Sequence, residues 1–436
     1  MSATAARWAA LDVLRAVRRG ELADRALGRA FARVAPGERP WLQELVYGTL
    51  RLRGRIDSML DRVVRRGIDS LEPDVLDVLR LGAYQLLEMG SVPAYAAVSQ
   101  AVEMGKGVGG AGAGKLVNGV LQALGRQRDS LRFPSFERDP AGHLSAWGSH
   151  PRWLVERWLR RFGRDGARAL VEANNRRPEL YLRPVGVTVE EARARLAEAG
   201  IASEPVAFAP DAVRILPPAG ATEALARVPA VVQDPAAGLV VRYAAIPRGA
   251  RVADLCAAPG GKAVALAERA GYVAAADLSL DRLERVRENA RRIGGLALGV
   301  LVADARHPPI REGSVDAVLL DVPCTGTGTL RRHPDGKWRI GQQDLELLVA
   351  LQRELLEAAA PLVAPGGLLV YSTCSLEPEE NEAQVEGFLE RHPEFTLEPT
   401  PESLDVGLLD EAGRLLVLPQ RFGVDGAFAA RLRRRV

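Results

Sequence analysis

Three cysteines occur in 436 residues, and each stands just beyond an apolar run. Cys256 lies in Asp254-Leu-Cys-Ala-Ala-Pro-Gly-Gly-Lys262. Cys324 closes Val315-Asp-Ala-Val-Leu-Leu-Asp-Val-Pro-Cys, and Cys374 closes Tyr371-Ser-Thr-Cys. A lone cysteine is ordinarily a small buried hydrophobe. Three at the ends of apolar runs predict strand-end loops on one edge of a parallel sheet, where open α/β domains bind ligands. No metal site is expected: there is no C-x-x-C pair, and the histidines at 143, 150, 307, 333 and 392 lack ligand spacing.

The Asp254–Lys262 segment reads as strand end, glycine turn and helix start. Free backbone N–H groups and missing side chains there admit a ligand closely. A Walker A loop would need Gly at 256 and Ser or Thr at 263, where the chain has Cys256 and Ala263, and G-x-G-x-x-G is absent. The candidate loop runs through Cys256, Ala257, Ala258, Pro259, Gly260, Gly261 and Lys262. Asp277, ending the second strand, is placed to accept hydrogen bonds from ribose hydroxyls. Asp304, ending the third, points to an adenine edge. This trio suits a cofactor with adenosine and no pyrophosphate, and S-adenosylmethionine is such a molecule.

Methylating nitrogen or oxygen needs no thiolate. Carbon 5 of a pyrimidine is too weak a nucleophile to attack a sulfonium methyl unaided. A thiolate adding to carbon 6 makes an enamine and places electron density on carbon 5, which divides one hard step into easier ones. Addition needs a hydrogen-bonding group at the N3/N4 edge, for which Asp321 is the candidate. Lys262 is placed to lower a thiol pKa or orient the base. The residues alone leave open which of Cys324 and Cys374 adds to the ring.

Residues 5–125 must supply helices, with apolar positions three and four apart: Leu11, Leu14, Val17; Leu42, Leu45, Val46; Val75, Val78, Leu79; Val117, Val120, Leu121, Leu124. The six glycines of Gly105–Gly114 predict a flexible loop, and Gln127–Ser149 an irregular linker. A short β-α-β-β alternation follows, with strands at Leu180–Val185, Pro205–Phe208 and Val213–Leu216, consistent with a ferredoxin-like or RRM-like sheet. From residue 235, strand–helix units repeat: strands at Arg251–Leu255, Tyr272–Asp277, Leu298–Val302, Val315–Leu320 and Gly367–Thr373 are almost wholly apolar, as two-faced burial demands. The expected domains are therefore a helical one over 1–130, a connector helix with a small α+β domain over 145–230, and a Rossmann-like α/β domain over 231–436.

Net charge is only +3, but residues 1–200 carry 32 Lys+Arg against 23 Asp+Glu, while the remainder is acidic. The first half is expected to face a polyanion. Sparse cysteine and the lack of a signal peptide or membrane span predict a soluble cytoplasmic protein. With no coiled-coil heptads, a monomer is expected.

Taken together, the motifs DLCAAPGGK, AADLSLDRLERVREN, VADAR, VDAVLLDVPCTGTGTLRRHPDGKW and YSTCSLEPEENEAQVEGFL closely resemble the Sun/Fmu family of RNA (cytosine-C5)-methyltransferases. Glu44–Arg51, Leu79–Leu87, Val92–Val98 and Lys115–Leu121 look like a NusB-type RNA-binding helical domain. That fusion is the arrangement of the family's RsmB-type members, which act on 16S rRNA. The resemblance implies a multidomain chain: all-α NusB-like domain, RRM/ferredoxin-like α+β domain and class I methyltransferase domain. It also implies Cys374 as nucleophile, Cys324 as the residue assisting release, and an S-adenosylmethionine site from Cys256–Lys262 with Asp277, Asp304 and Asp321. Arg331, Arg332, His333 and Lys337, just after the Pro-Cys turn, leave two readings open: a group that holds phosphates flanking a flipped base, or an ordinary solvated surface loop. Two alternatives stay open: the same chemistry on tRNA, and a non-catalytic RNA-binding assembly or antitermination factor.

Overall fold

The computed structural model describes residues 3–128 and 130–436. Met1 and Ser2, in the expected helical domain, and Asp129, in the expected linker, lie outside the described residues. The chain forms two compact units: Met1–Arg176 with Leu330–Gly341, and Arg177–Thr329 with Gln342–Val436.

The first unit is helical. Helices Ala5–Arg18, Arg39–Arg51, Pro73–Glu88 and the long Ala94–Gln127 bury one shared apolar core, including Leu11, Leu42, Leu45, Val78, Leu79 and Leu121. Proline at the first position starts Pro73–Glu88, where a missing N–H costs nothing. The Gly105–Gly114 stretch is not the expected loop. It is helical on both sides of a break at Gly109 and Gly110, the latter at φ +72°. The two halves fold back on each other, so a Cβ at Gly105 would stand 2.9 Å from Val117, and one at Gly107 would stand 2.6 Å from Trp8. Each glycine costs a helix about 1 kcal/mol, and close packing of the hairpin offsets that. The expected linker also holds a helix, Pro140–Ala146, capped by Asp139, which accepts from the Gly142 N–H at 2.8 Å. The connector helix Arg152–Asn175, grouped above with the small α+β domain, lies in this first unit.

The second unit holds two sheets. The smaller has β1 (Leu180–Pro184), β2 (Ser203–Pro205), β3 (Val213–Ile215) and β4 (Ala230–Val232) in the antiparallel order β2-β3-β1-β4. The β4 strand and the short helix before it, Ala221–Leu225, escape a reading by periodicity because each spans five residues or fewer. They complete a ferredoxin-like β-α-β-β-α-β unit.

The larger sheet comprises β5 (Arg251–Asp254), β6 (Tyr272–Asp277), β7 (Leu298–Val302), β8 (Val315–Asp321), β9 (Val363–Thr373), β10 (Phe395–Leu397), β11 (Leu415–Val417) and β12 (Ala427–Arg434). Its order is β10-β12-β9-β8-β5-β6-β7, with β11 on β12. Strands β5 to β9 run parallel, and β12 is antiparallel to β9. Strands β5 and β8 are hydrogen-bonded neighbours although the chain passes through β6 and β7 between them. Ligands bind at such a switch, beyond the carboxyl ends of the strands. Alternate residues fill two cores: Val252, Leu319 and Val370 face one, and Ala253, Val318 and Leu369 the other.

Candidate active site

Parallel pairing of β8 with β9 sets Asp321 opposite Ser372. Each strand then turns within three residues, and the two turns carry Cys324 and Cys374. Their sulfurs lie 3.4 Å apart, closed by tertiary structure across fifty residues of chain. The turns are stitched together: the Val322 N–H donates to the Ser372 carbonyl at 3.0 Å, and the Gly328 N–H to the Cys374 carbonyl at 2.9 Å. Glycine is required at 328, where a Cβ would stand 2.7 Å from that same carbonyl and 2.8 Å from the Gly426 Cα.

Lys262, on the first turn of helix Gly261–Ala267, donates to Asp321 Oδ2 at 2.7 Å. Ser372 Oγ donates to Asp321 Oδ1, also at 2.7 Å. Burial pushes the Lys262 ammonium toward losing its proton, but the Asp321 carboxylate outweighs burial, and the Cys374 sulfur adds to the same effect, so its pKa rises. The Cys324 thiol is held well above its ordinary value, first by its hydrogen bond to Cys374 and then by burial. The two sulfurs share one hydrogen bond, and ionisation of Cys324 is opposed.

Asp254 is buried beneath this pair, at 1% exposure. Burial lifts its carboxyl to about 8, with Asp321 adding to the lift and Lys262 opposing it. Cys256 is a different kind of cysteine: burial, then the neighbouring Asp254, push its thiol far up. It lines the site as a neutral side chain.

A cleft of about 500 Å³ opens along the strand ends, lined by Cys256, Ala258, Asp277, Asp304, Asp321, Cys324 and Cys374 among others. At one end Asp277 accepts from the Ala258 N–H at 3.3 Å and the Ser279 N–H at 3.0 Å, which ties the glycine loop to β6. Asp304 is gripped by Arg306 through three nitrogens, which holds its carboxyl down to about 2. Gly260 takes φ +102°, and a Cβ there would stand 2.9 Å from Val286.

The family described as 16S rRNA methyltransferase RsmB/F matches residues 245–433, the NusB family matches residues 4–126, and the RsmF/B-like ferredoxin-like domain matches residues 150–221. The chain is similar to a probable ribosomal RNA small subunit methyltransferase B of Synechocystis sp., 34% identical over 98% of this chain and 99% of that one. It is likewise similar to a ribosomal RNA small subunit methyltransferase B of Salmonella arizonae, 35% identical over 97% of each. The chain belongs to the RsmB/F methyltransferase family. Among solved structures, PH0851 superposes over 99% of both chains with a TM-score of 0.80 at 29% identity. A methyltransferase homologue from Pyrococcus horikoshii covers 66% of this chain with a TM-score of 0.55 at 27% identity. The architecture is that of an RsmB/F methyltransferase: a NusB domain, a ferredoxin-like domain and a Rossmann-like catalytic domain.

S-adenosylmethionine is the cofactor of an RsmB/F methyltransferase, and this cleft fits it. Its volume is in the range of small-molecule sites. The loop that borders the cleft packs too closely for side chains at its glycines, since a Cβ at Gly261 would stand 2.8 Å from Gln233. Acidic groups stand at three strand ends, Asp277, Asp304 and Asp321, beside the two sulfurs.

The basic group after the Pro-Cys turn is not the exposed cluster expected from sequence. Residues Leu330–Gly341 fold with the helical unit. Lys337 is 1% exposed and donates to the Arg51 carbonyl at 3.1 Å, the Ser149 carbonyl at 3.3 Å and Asn175 Oδ1 at 2.8 Å. Burial, then Arg51 and Arg55, drive its pKa well below that of a free lysine. Arg331 is buried as well, Arg332 is half-buried, and His333 pairs with Asp24 at 3.0 Å. A buried lysine satisfied by neutral acceptors cannot reach a phosphate. Sequence reasoning also passed over Glu380, Gln352 and Ser375, which lie behind the cysteine turns. Within the Glu-rich run Glu377–Glu382, Glu377 and Glu380 are fully buried.

Proposed function

We propose that this chain transfers a methyl group from S-adenosylmethionine to carbon 5 of a cytosine in 16S rRNA, through a transient bond between Cys374 Sγ and carbon 6. The observation that carries the reading is the pair of sulfurs 3.4 Å apart, in one cleft with Asp321, whose carboxylate is paired with Lys262. Methyl transfer to nitrogen or oxygen has no use for such a pair. The printed names of the relatives, ribosomal RNA small subunit methyltransferase B, support the substrate.

The loop Cys256–Lys262, Asp277, Asp304 and Asp321 would hold the cofactor, which supplies an electrophilic methyl group when bound. A cytosine in a duplex is out of reach, so the base must be flipped or unpaired. Cys374, ionised beside Lys262, attacks carbon 6 while Asp321 and Lys262 hold the N3/N4 edge. The S–C6 bond forms and electron density moves to carbon 5, which becomes methylated. The negative charge of Cys374 is then gone, and with it the main influence holding the Cys324 proton. Cys324 releases that proton to water in the cleft and takes the proton from carbon 5. The C6–S bond breaks, Cys374 leaves as thiolate, and 5-methylcytosine is released.

The test uses Cys374→Ala and Cys324→Ala with 16S rRNA and labelled cofactor. Wild type is expected to form 5-methylcytosine. Cys374→Ala should form neither product nor adduct, and Cys324→Ala should trap a covalent RNA–protein adduct. An adduct in Cys374→Ala instead reverses the two roles. Methylation of tRNA but not rRNA moves the substrate, and no transfer by wild type to either refutes the reading.

A further inference from the structure

The residues following both cysteines are tied to one buried carboxylate. Thr325, next to Cys324, donates its N–H to Glu380 Oε1 at 2.8 Å and its hydroxyl to Glu380 Oε2. Gln352 Nε2 donates to Glu380 Oε1 at 2.9 Å and to the Pro323 carbonyl at 3.0 Å, so Cys324 is gripped on both sides. On the other turn Ser375, next to Cys374, sets its Oγ 3.1 Å from Thr325 Oγ1. Asn381, adjoining Glu380, donates to the Ser375 carbonyl at 2.9 Å and accepts from the Thr373 hydroxyl at 2.5 Å.

Glu380 is 0% exposed and has no cationic partner among the described residues. Burying a carboxylate without a cation is costly: burial raises the Glu380 pKa, and hydrogen bonds from Ser375, Thr325 and Gln352 oppose that rise. A carboxylate offers two acceptor oxygens and no donor, and the groups aimed at it are donors. An amide would turn an N–H toward one of them.

Resting on the two-cysteine reading above, we propose that Glu380 is a positioning residue for methyl transfer: it joins the Pro-Cys and Thr-Cys turns so that the two sulfurs meet, and it makes the pair unequal. Glu380 takes both the N–H and the hydroxyl of Thr325, next to Cys324, against a hydroxyl bond from Ser375, next to Cys374, and its charge opposes ionisation of the Cys324 thiol. The negative charge of the pair is thereby left to Cys374. Glu380 touches neither substrate nor cofactor in this scheme.

The experiment measures alkylation of the full-length protein by iodoacetamide without RNA, with the two cysteines read separately by mass spectrometry. In wild type Cys374 labels faster than Cys324. In Glu380→Gln the ratio is expected to fall about tenfold, the change produced by one unit in relative thiol ionisation. Single-turnover methyl transfer falls with it, while affinity for S-adenosylmethionine stays within about threefold and reports an intact fold. Thr325→Val, nearly isosteric, removes one of the bonds to Glu380 and should shift the ratio in the same direction if Glu380→Gln does not fold. A wild-type ratio and transfer rate in either folded variant overturns the proposal, as does equal labelling in the unaltered protein. Failure of the cytosine-C5 reading shows separately, as no 5-methylcytosine from wild type with the labelling ratio unaffected.

Discussion

Replacing Asp321 by Asn tests the electrostatics of the site without rebuilding it. Asp321 accepts from Lys262 Nζ and from Ser372 Oγ, both at 2.7 Å. Asn can turn its oxygen to Lys262 and its amide to Ser372, whose hydroxyl rotates to accept. The scaffold is retained, and what is lost is the anion beside a half-buried ammonium. A hydrogen bond to a charged group contributes about 1.5–3 kcal/mol, or about 10- to 150-fold in rate at 1.36 kcal/mol per decade. Losing the group that holds the N3/N4 edge removes a further ~10²–10⁴-fold. Single-turnover transfer should therefore fall by at least about 10³-fold, with melting temperature nearly unchanged. The pH profile adds a sign. Burial lowers the Lys262 pKa and Asp321 outweighs it. Without that carboxylate Lys262 loses its proton at lower pH, so residual activity should decline on the alkaline side earlier than in wild type. Rapid-quench transfer to 16S rRNA from pH 6 to 10, with calorimetric titration of the cofactor, reads both. A variant within about threefold of wild type across that range would refute the role assigned to Asp321.

Lys337→Met strands three acceptors at about 1–3 kcal/mol each, offset by the several kcal/mol recovered from an ammonium no longer buried; a net loss of about 2 kcal/mol is expected in denaturant unfolding. The same variant should leave the salt dependence of RNA binding unchanged, whereas a phosphate contact would reduce its slope by about one. Asp254 titrates near 8 when folded and near 3.8 when unfolded. Between those values the folded state holds the extra proton, so its contribution to stability is greatest at low pH and is lost as pH rises to about 8. Asp254→Asn should flatten the decline in melting temperature between pH 5 and 8, and an unchanged slope would show that Asp254 is not the group responsible.

Local patterns carried much of this protein in its sequence. Apolar runs closed by Asp and a turn marked β5, β6 and β8, because a strand buried on both faces has no room for other residue types until it reaches the sheet edge. Cys324 and Cys374 were legible as strand-end residues for the same reason. What the sequence could not show is how far apart they stand. Only the parallel pairing of β8 with β9, which sets Asp321 opposite Ser372, brings the sulfurs to 3.4 Å. Elsewhere tertiary structure reversed the local reading. Lys337 and Glu380 look like surface charges because an isolated ion belongs in water. Each is buried because neighbours distant in the chain supply the hydrogen bonds that water would have made. The glycines at 105–114 look like a loop by propensity, yet a packed helical hairpin outweighs that cost. Propensity and periodicity act within a few residues, so they mark elements and their ends. The ionisation and geometry of a site are set by partners tens to hundreds of residues away, and those exist only once the chain has folded.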